Sequence, residues 1–240
     1  KLVNGAKLET QKEIFAGIAE IETGGAKDEA DLIAKMSKAD AALLTIKTPM
    51  TRKIIESCPK LKIIGKYGVG TENIDIDAAT ELGIPVVNVP GVNSNAVAEL
   101  TIGLILSIMR HIPEGKNHIA RGGWRDESLL GDELSGSIVG IIGYGQIAKR
   151  VIRKLRGFEI KEILVFSESR THEKPEFRNV TFTDLPGLLK ESDIVTIHKS
   201  STPKSKGLIG KDEINLMKKT AYLVNTSRGS LVDEVELVKA

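Results

Sequence analysis

Residues Ser137–Arg156 read SIVGIIGYGQIAKRVIRKLR, and the rest of the chain takes its meaning from them. Ser137–Ile142 is an apolar run of the kind expected of a strand covered on both faces. It leads without a spacer into Gly143-Tyr144-Gly145-Gln146-Ile147-Ala148, and helical spacing follows as far as Arg156. The hexad has the form G-x-G-x-x-A. Gly143 permits a tight turn, Gly145 leaves the backbone bare for a close anion, and small Ala148 lets helix and strand pack closely. The amides of Gln146 and Ile147 then open the helix at its positive end. An ordinary strand-to-helix turn also tolerates such glycines. The order strand, turn, helix and second strand (Glu162–Phe166) is what favours a site for the pyrophosphate of a dinucleotide.

The second strand ends in Phe166-Ser167-Glu168-Ser169-Arg170. An acidic residue here accepts the ribose hydroxyls of NAD, whereas an arginine nearby pairs with the 2′-phosphate of NADP. Ser167 stands at the usual acidic position, and Glu168 and Arg170 follow it. NAD and NADP both stay open, with NAD slightly favoured. Further on, Ile194–His198 reads as a strand entering the loop Lys199–Lys206, and Asp212–Met217 as a helix. Ala221–Asn225 reads as a strand ending in Thr226-Ser227-Arg228-Gly229. A guanidinium at the carboxyl edge of a parallel sheet can grip a carboxylate with two hydrogen bonds and polarise a neighbouring carbonyl. A surface salt bridge would use the same residue, and position alone does not choose.

Upstream, strand and helix alternate in the same way. Strands are expected at Lys1–Asn4, Ala41–Ile46, Leu61–Gly65 and Ile84–Val89, and helices at Glu9–Ala19, Glu29–Met36, Thr51–Ser57 and Asp77–Leu82. Gly83 fits a left-handed helix stop. Tyr67-Gly68-Val69-Gly70-Thr71 follows a strand end, where α/β folds place ligands, and its glycines would let backbone amides meet a carboxylate. A plain tight turn explains the glycines equally well. Asn73 and Asp75 read as caps of the next helix. Pro90-Gly91 breaks the pattern, and Asn93-Ser94-Asn95 offers caps to a long helix over Ala96–His111. That helix is apolar nearly all round, so burial between domains or subunits is expected. The boundary falls between residues 94 and 95.

Composition bounds the function classes. The 240 residues are 41% hydrophobic and 28% charged, with a net charge of +2. That charge gives no field for nucleic acid or an anionic membrane surface. The basic cluster Lys149-Arg150, Arg153-Lys154 and Arg156 reads as a solvated helix face. The most apolar stretch, Ala96–Met109, is shorter than the ~20 residues a bilayer needs. No signal peptide is read at the start, and Cys58, the single cysteine, excludes an internal disulfide framework. A soluble, cytoplasmic protein without a metal site is expected.

Together these segments resemble the D-isomer-specific 2-hydroxyacid dehydrogenase family, closest to its phosphoglycerate/glycerate dehydrogenase branch. The likeness is carried by GVGTENID at Gly68–Asp75, AATELGIPVVNVPG at Ala78–Gly91 and VAE at Val97–Glu99. It continues in RGGW at Arg121–Trp124, GDELSG at Gly131–Gly136, the glycine hexad, and VNTSRG at Val224–Gly229. The resemblance implies two doubly wound parallel-sheet α/β domains, a flavodoxin-like substrate domain over 1–94 and a Rossmann NAD(P)-binding domain over 95–240. It implies that the Val69 and Gly70 amides hold the substrate carboxylate. Arg228 would bind carboxylate and keto oxygen, Thr226 would contact the nicotinamide, and Gly143, Gly145, Gln146 and Ile147 would cradle the pyrophosphate. Lys47 is placed to meet a distal anionic group, although a solvated lysine explains it as well. A homodimer through the Ala96–His111 region is also implied.

Three departures qualify this. Ser167 replaces the usual ribose-binding Asp. His198-Lys199-Ser200-Ser201-Thr202 keeps His198 and Thr202 of the family's H-x-P-x-T motif but puts polar residues where the adenine is normally covered. The family's catalytic Glu and His lie beyond its TSRG motif, and none of His111, His118, His172 and His198 can be carried into that role. The NAD(P)-binding domain is therefore expected to be incomplete at its C-terminal end, with an open sheet edge. The chain alone is expected to be nearly inactive, since a positioned proton donor contributes about 10²–10⁴-fold. The implied activity is hydride transfer between NAD(P) and C2 of a small D-2-hydroxy or 2-keto acid, with D-3-phosphoglycerate and glycerate/hydroxypyruvate as candidates. The rival reading is a non-catalytic NAD(P)-sensing binding protein of the same fold. Formate dehydrogenase fits less well, because that branch has a longer substrate domain.

Overall fold

The computed structural model describes residues 2–4, 13–23, 25–169 and 177–240. Its named strands pair only in parallel, as two separate sheets in two units, Lys1–Val92 and Asn93–Ala240. The division falls slightly ahead of the boundary expected from sequence.

The first unit runs β1 (Leu2–Asn4), β2 (Ile21–Thr23), α1 (Glu29–Met36), β3 (Ala41–Leu44), α2 (Arg52–Glu56), β4 (Ile63–Lys66), α3 (Ile76–Glu81) and β5 (Val86–Val87). The sheet order is β2-β1-β3-β4-β5, the flavodoxin-like winding. Asp28, Thr51 and Asp75 cap the three helices through their side chains. Leu32, Met36, Ile54, Ile55, Ala78 and Ala79 turn inward from those helices onto Ala42, Leu44 and Ile64. Cys58 belongs to this core, and burial pushes its thiol pKa up, as suits an inert side chain. Gly83 is left-handed, with φ +66°. Of the helix expected over Glu9–Ala19, residues 9–12 lie outside the described residues, Glu13 and Ile14 are helical, and 15–18 form a turn.

The second unit runs α4 (Ser94–Met109), α5 (Ile112–Ala120), β6 (Ile138–Ile142), α6 (Gln146–Leu155), β7 (Glu162–Phe166), β8 (Val180–Phe182), α7 (Leu185–Glu191), β9 (Ile194–Ile197), α8 (Lys211–Leu216), β10 (Tyr222–Asn225) and α9 (Glu234–Lys239). The sheet order β10-β9-β6-β7-β8 is the Rossmann winding, with its reversal between β6 and β9. One face of the sheet carries α4 and α6; the other carries Leu188, Leu189, Ile209 and Leu231. Helix α6 buries Ala148, Val151, Ile152 and Leu155, a single stripe at helical spacing. Each of its three larger side chains contributes about 1.5–3 kcal/mol by leaving water.

Within the single chain, helix α4 buries Ala98, Thr101, Ile102, Ile105 and Met109 and exposes Leu100, Leu104 and Ile108. His118 lies in helix α5. Left-handed His111 and Pro113 bend the chain by 59° between α4 and α5. No single helix among the described residues is long and apolar enough to cross a membrane.

Candidate functional site

At the carboxyl end of β6 the chain reverses through Gly143 at φ +97°. A Cβ there would lie 2.7 Å from the His198 carbonyl oxygen and 3.0 Å from the Lys199 nitrogen, so only glycine lets this turn press against the loop after β9. The Gly143 N–H donates to the Phe166 carbonyl at 2.8 Å, tying the turn to β7 as well. Gly145 differs: its backbone is extended, and a Cβ on it would enter open space. It precedes α6 as a cap without a side chain, so no side chain occupies the helix's positive end beside Gln146 and Ile147. Buried Tyr144 seals the turn from below, edge-on to Phe182 at 5.0 Å, with Lys149 Nζ 4.7 Å over its ring. Ala148 is fully buried, as close helix–strand packing requires. This bare cradle fits the pyrophosphate of a dinucleotide.

The cradle opens into a cleft of about 350 Å³ within the second unit. Ser167 is buried in its wall, and the adjacent Glu168 is 63% exposed in its side chain. Glu168 Oε2 accepts from Lys199 Nζ at 2.7 Å, and Lys199, which sequence reasoning did not single out, is mostly buried along its stem. Its position directly after His198 at a strand end was the available signal. His198 sits deep in the same wall, its Nε2 3.1 Å from Thr196 Oγ1 and its Nδ1 buried without a partner. Burial pushes its pKa down to about 4, so the ring is neutral at pH 7. Thr202 starts the short turn Pro203–Ser205, and its N–H donates to Ser205 Oγ at 2.8 Å. Arg170 lies outside the described residues.

The basic residues of α6 are more engaged than a solvated face implies. Lys154 pairs with Glu99 at 3.0 Å, and the Arg156 guanidinium lies 4.6 Å from the Phe177 ring centre.

The carboxyl end of β10 is held by its own side chains. Thr226 Oγ1 lies 3.0 Å from Thr101 Oγ1 of α4, and Ser227 Oγ donates to the Ile197 carbonyl at 2.9 Å. Asn225 Nδ2 donates to the Arg228 carbonyl at 2.8 Å, so the backbone at Arg228 is fixed while its side chain is exposed. The guanidinium donates from Nη1 to the Ser227 carbonyl at 3.0 Å. Among the described residues no cluster of three or more His, Cys, Asp or Glu could hold a metal ion.

The first unit carries the other glycine turn, after β4. Gly68 has φ +150°, Val69 is exposed and Gly70 half-buried. Asn88 Nδ2 donates to the Val69 carbonyl at 2.7 Å. Beneath the turn lies Lys66, only 4% exposed, which sequence reasoning also missed. Its Nζ donates to the Thr45 carbonyl at 3.1 Å and to Asn73 Oδ1. Asn73 Nδ2 in turn donates to the Thr45 and Thr48 carbonyls. Asn73 is therefore a half-buried amide that ties the turn to the loop after β3 and not a helix cap; Asp75 does cap, accepting from the Ala78 N–H at 2.8 Å. Burial lowers the Lys66 pKa. Lys47 stands exposed in the loop after β3.

Known proteins are similar to this chain in sequence and fold. Residues 102–240 match the family model described as the D-isomer specific 2-hydroxyacid dehydrogenase NAD binding domain. The chain is 41% identical over 225 residues to D-3-phosphoglycerate dehydrogenase of Methanocaldococcus jannaschii, covering 93% of this chain and 42% of that protein. It is 38% identical over 216 residues to glyoxylate reductase of Thermococcus litoralis, covering 87% of this chain and 65% of that one. It therefore spans less than two thirds of either relative's length. The crystal structure of D-lactate dehydrogenase from Aquifex aeolicus complexed with NAD and lactic acid is similar over 100% of this chain and 72% of its own, with a TM-score of 0.88 and 26% identity. The chain thus belongs to the D-isomer-specific 2-hydroxyacid dehydrogenase family and carries that family's NAD-binding domain.

Proposed function

We propose that the protein transfers hydride between a nicotinamide dinucleotide and C2 of a small D-2-hydroxy or 2-keto acid, with D-3-phosphoglycerate or glycerate/hydroxypyruvate as substrate. The observation that carries this reading is the carboxyl edge of one sheet. There the ends of β6, β9 and β10, neighbours in that order, present the bare glycine cradle, the cleft wall and Arg228. The dinucleotide, when bound, supplies or accepts the hydride. Gly143, Gly145 and the amides of Gln146 and Ile147 hold its phosphates, with His198 and Thr202 in the wall beside them. Thr226, steadied by Thr101, faces the nicotinamide. Arg228 grips the acid's carboxylate and polarises its keto oxygen. In the first unit the Val69 and Gly70 amides take the carboxylate, and Lys47 meets a distal anionic group.

The cofactor is NAD in preference to NADP, because Glu168 offers an acceptor to a ribose diol and repels a phosphate. We further propose a cytoplasmic homodimer formed on α4, supported by the exposed stripe of Leu100, Leu104 and Ile108. A single stable monomer in sedimentation would count against the dimer. The activity is tested by NADH oxidation in a full-length polypeptide carrying this chain, with hydroxypyruvate, glyoxylate and phosphohydroxypyruvate. Turnover is expected on at least one, and Arg228→Lys should lower kcat/KM on the order of 100-fold with NADH affinity unchanged. Absence of turnover on every 2-keto acid overturns the proposal.

A further inference from the structure

We infer that Lys66 is a positioning residue: with Asn73 it locks the loop carrying Lys47 to the glycine turn after β4, and so sets the span between two anion contacts on the substrate. This rests on the reading above, in which the Val69 and Gly70 amides take the carboxylate and Lys47 a distal anionic group. Strands β3 and β4 are parallel neighbours, so the loop and the turn leave the same edge of the sheet side by side. Lys66 ends β4, and its ammonium crosses to the neighbouring strand end, donating to the Thr45 carbonyl at 3.1 Å and to Asn73 Oδ1. Asn73 Nδ2 donates in turn to the Thr45 carbonyl at 3.2 Å and to the Thr48 carbonyl. The loop is thus gripped on both sides of Ile46 and Lys47, whose side chains stay exposed.

The cation is the unexpected member of this lock. Lys66 is almost wholly buried, and its Cε lies 3.8 Å from where a Cβ on Gly68 would stand, against the turn. An ammonium is among the costliest groups to bury, and a methionine would fill much of the same space. What the ammonium adds is a set of donors that reach the loop and Asn73 at once. The glycine turn has further ties of its own. The Tyr67 N–H donates to the Leu44 carbonyl at 2.8 Å, the Val89 N–H to the Gly68 carbonyl at 3.2 Å, and Asn88 Nδ2 to the Val69 carbonyl at 2.7 Å. The loop is next tied by backbone at Met50, whose N–H donates to the Asn73 carbonyl at 2.7 Å. Between Leu44 and Met50 the two side chains hold it. Losing the ammonium therefore frees Lys47 more than it disturbs the turn. An acid with a second anionic group feels that loss, and an acid with a carboxylate alone feels little of it.

The test is NADH oxidation by a full-length polypeptide carrying this chain, with phosphohydroxypyruvate and hydroxypyruvate, which differ in the distal phosphate. The unsubstituted protein should favour phosphohydroxypyruvate in kcat/KM. K66M should raise KM for phosphohydroxypyruvate roughly 10-fold, with kcat and the KM values for hydroxypyruvate and NADH held within about twofold. N73D keeps an acceptor for the ammonium but loses the donors to Thr45 and Thr48, and should act in the same direction; thermal unfolding checks that each variant folds. In a Lys47→Met background K66M should no longer move KM for phosphohydroxypyruvate, a coupling that a lysine serving stability alone would not show. Equal losses on the two acids, or an undiminished K66M effect after Lys47→Met, overturn the lock and leave hydride transfer standing. So does an unsubstituted protein with no preference for phosphohydroxypyruvate. Absence of turnover on every 2-keto acid overturns the hydride-transfer reading, and the lock with it.

Discussion

The chain contains two G-x-G turns, each at the carboxyl end of a parallel strand, and they are built by different means. The turn after β6 is closed by contact: Gly143 packs against the backbone of the loop after β9, and a helix begins at once. The turn after β4 is held from beneath by Lys66 and Asn73, and α3 starts only at Ile76. A Cβ at Gly68 would meet nothing nearer than the Lys66 Cε at 3.8 Å. The lesson is that the same letters have different structural supports. Both turns put glycine at a positive φ, but only the second unit's also excludes a side chain by close contact, whereas the first unit's rests on two side chains from beneath.

The largest expected effect tests that contrast directly. Gly143→Val forces a Cβ into the His198 backbone at a positive φ and should cost about 2–4 kcal/mol of stability. NADH binding should weaken with it on the order of 100-fold. Gly145→Val, whose Cβ enters open space, should change stability by less than about 0.5 kcal/mol and still weaken NADH about tenfold. Equal losses of stability in the two variants, read by urea denaturation, would erase the distinction between the closed turn and the open cradle.

The next effect is a pH dependence peculiar to the second unit. Burial lowers the His198 pKa from 6.5 to about 4, so the unfolded chain takes up that proton first. Stability from this group is complete above about pH 6.5 and is lost as pH falls toward about 4, by on the order of 3 kcal/mol. His198→Asn should flatten that part of the stability curve; an unchanged acid limb would show that another group sets it.

The smallest effect belongs to the first unit. Lys66→Met leaves Asn73 Oδ1 without its donor, takes from the Thr45 carbonyl one of its two donors, and should cost about 1–3 kcal/mol. NADH affinity in the second unit should stay the same. A loss of NADH binding alongside normal folding would mean that the two turns do not answer separately.

Much of this organisation was legible in the residues. The alternation of strand and helix, the cradle of Gly143, Gly145 and Ala148, the Asp75 cap and the left-handed Gly83 follow from apolar runs and local backbone preferences, which need no knowledge of distant neighbours; the two windings came from the family resemblance. Strands β2 and β8 were not read, because three-residue edge strands are too short to show a period. Helix α7 was hidden by Pro186 and Gly187 in its first turn, although Asp184 caps it through the Gly187 N–H. Asn73 was misread because asparagine before a helix looks like a cap whichever way its amide points.

By itself, then, the sequence determined the alternation of strand and helix and the position of the bare turn, since both are written in periodicity and in glycine's freedom at positive φ. Only the tertiary structure decided which charges meet. Glu168 and Lys199 are 31 residues apart in the chain, and Lys66 finds its carbonyl on the neighbouring strand end. Such pairs exist because the sheet order brings chosen strand ends side by side, and that order is settled by the packing of the whole unit.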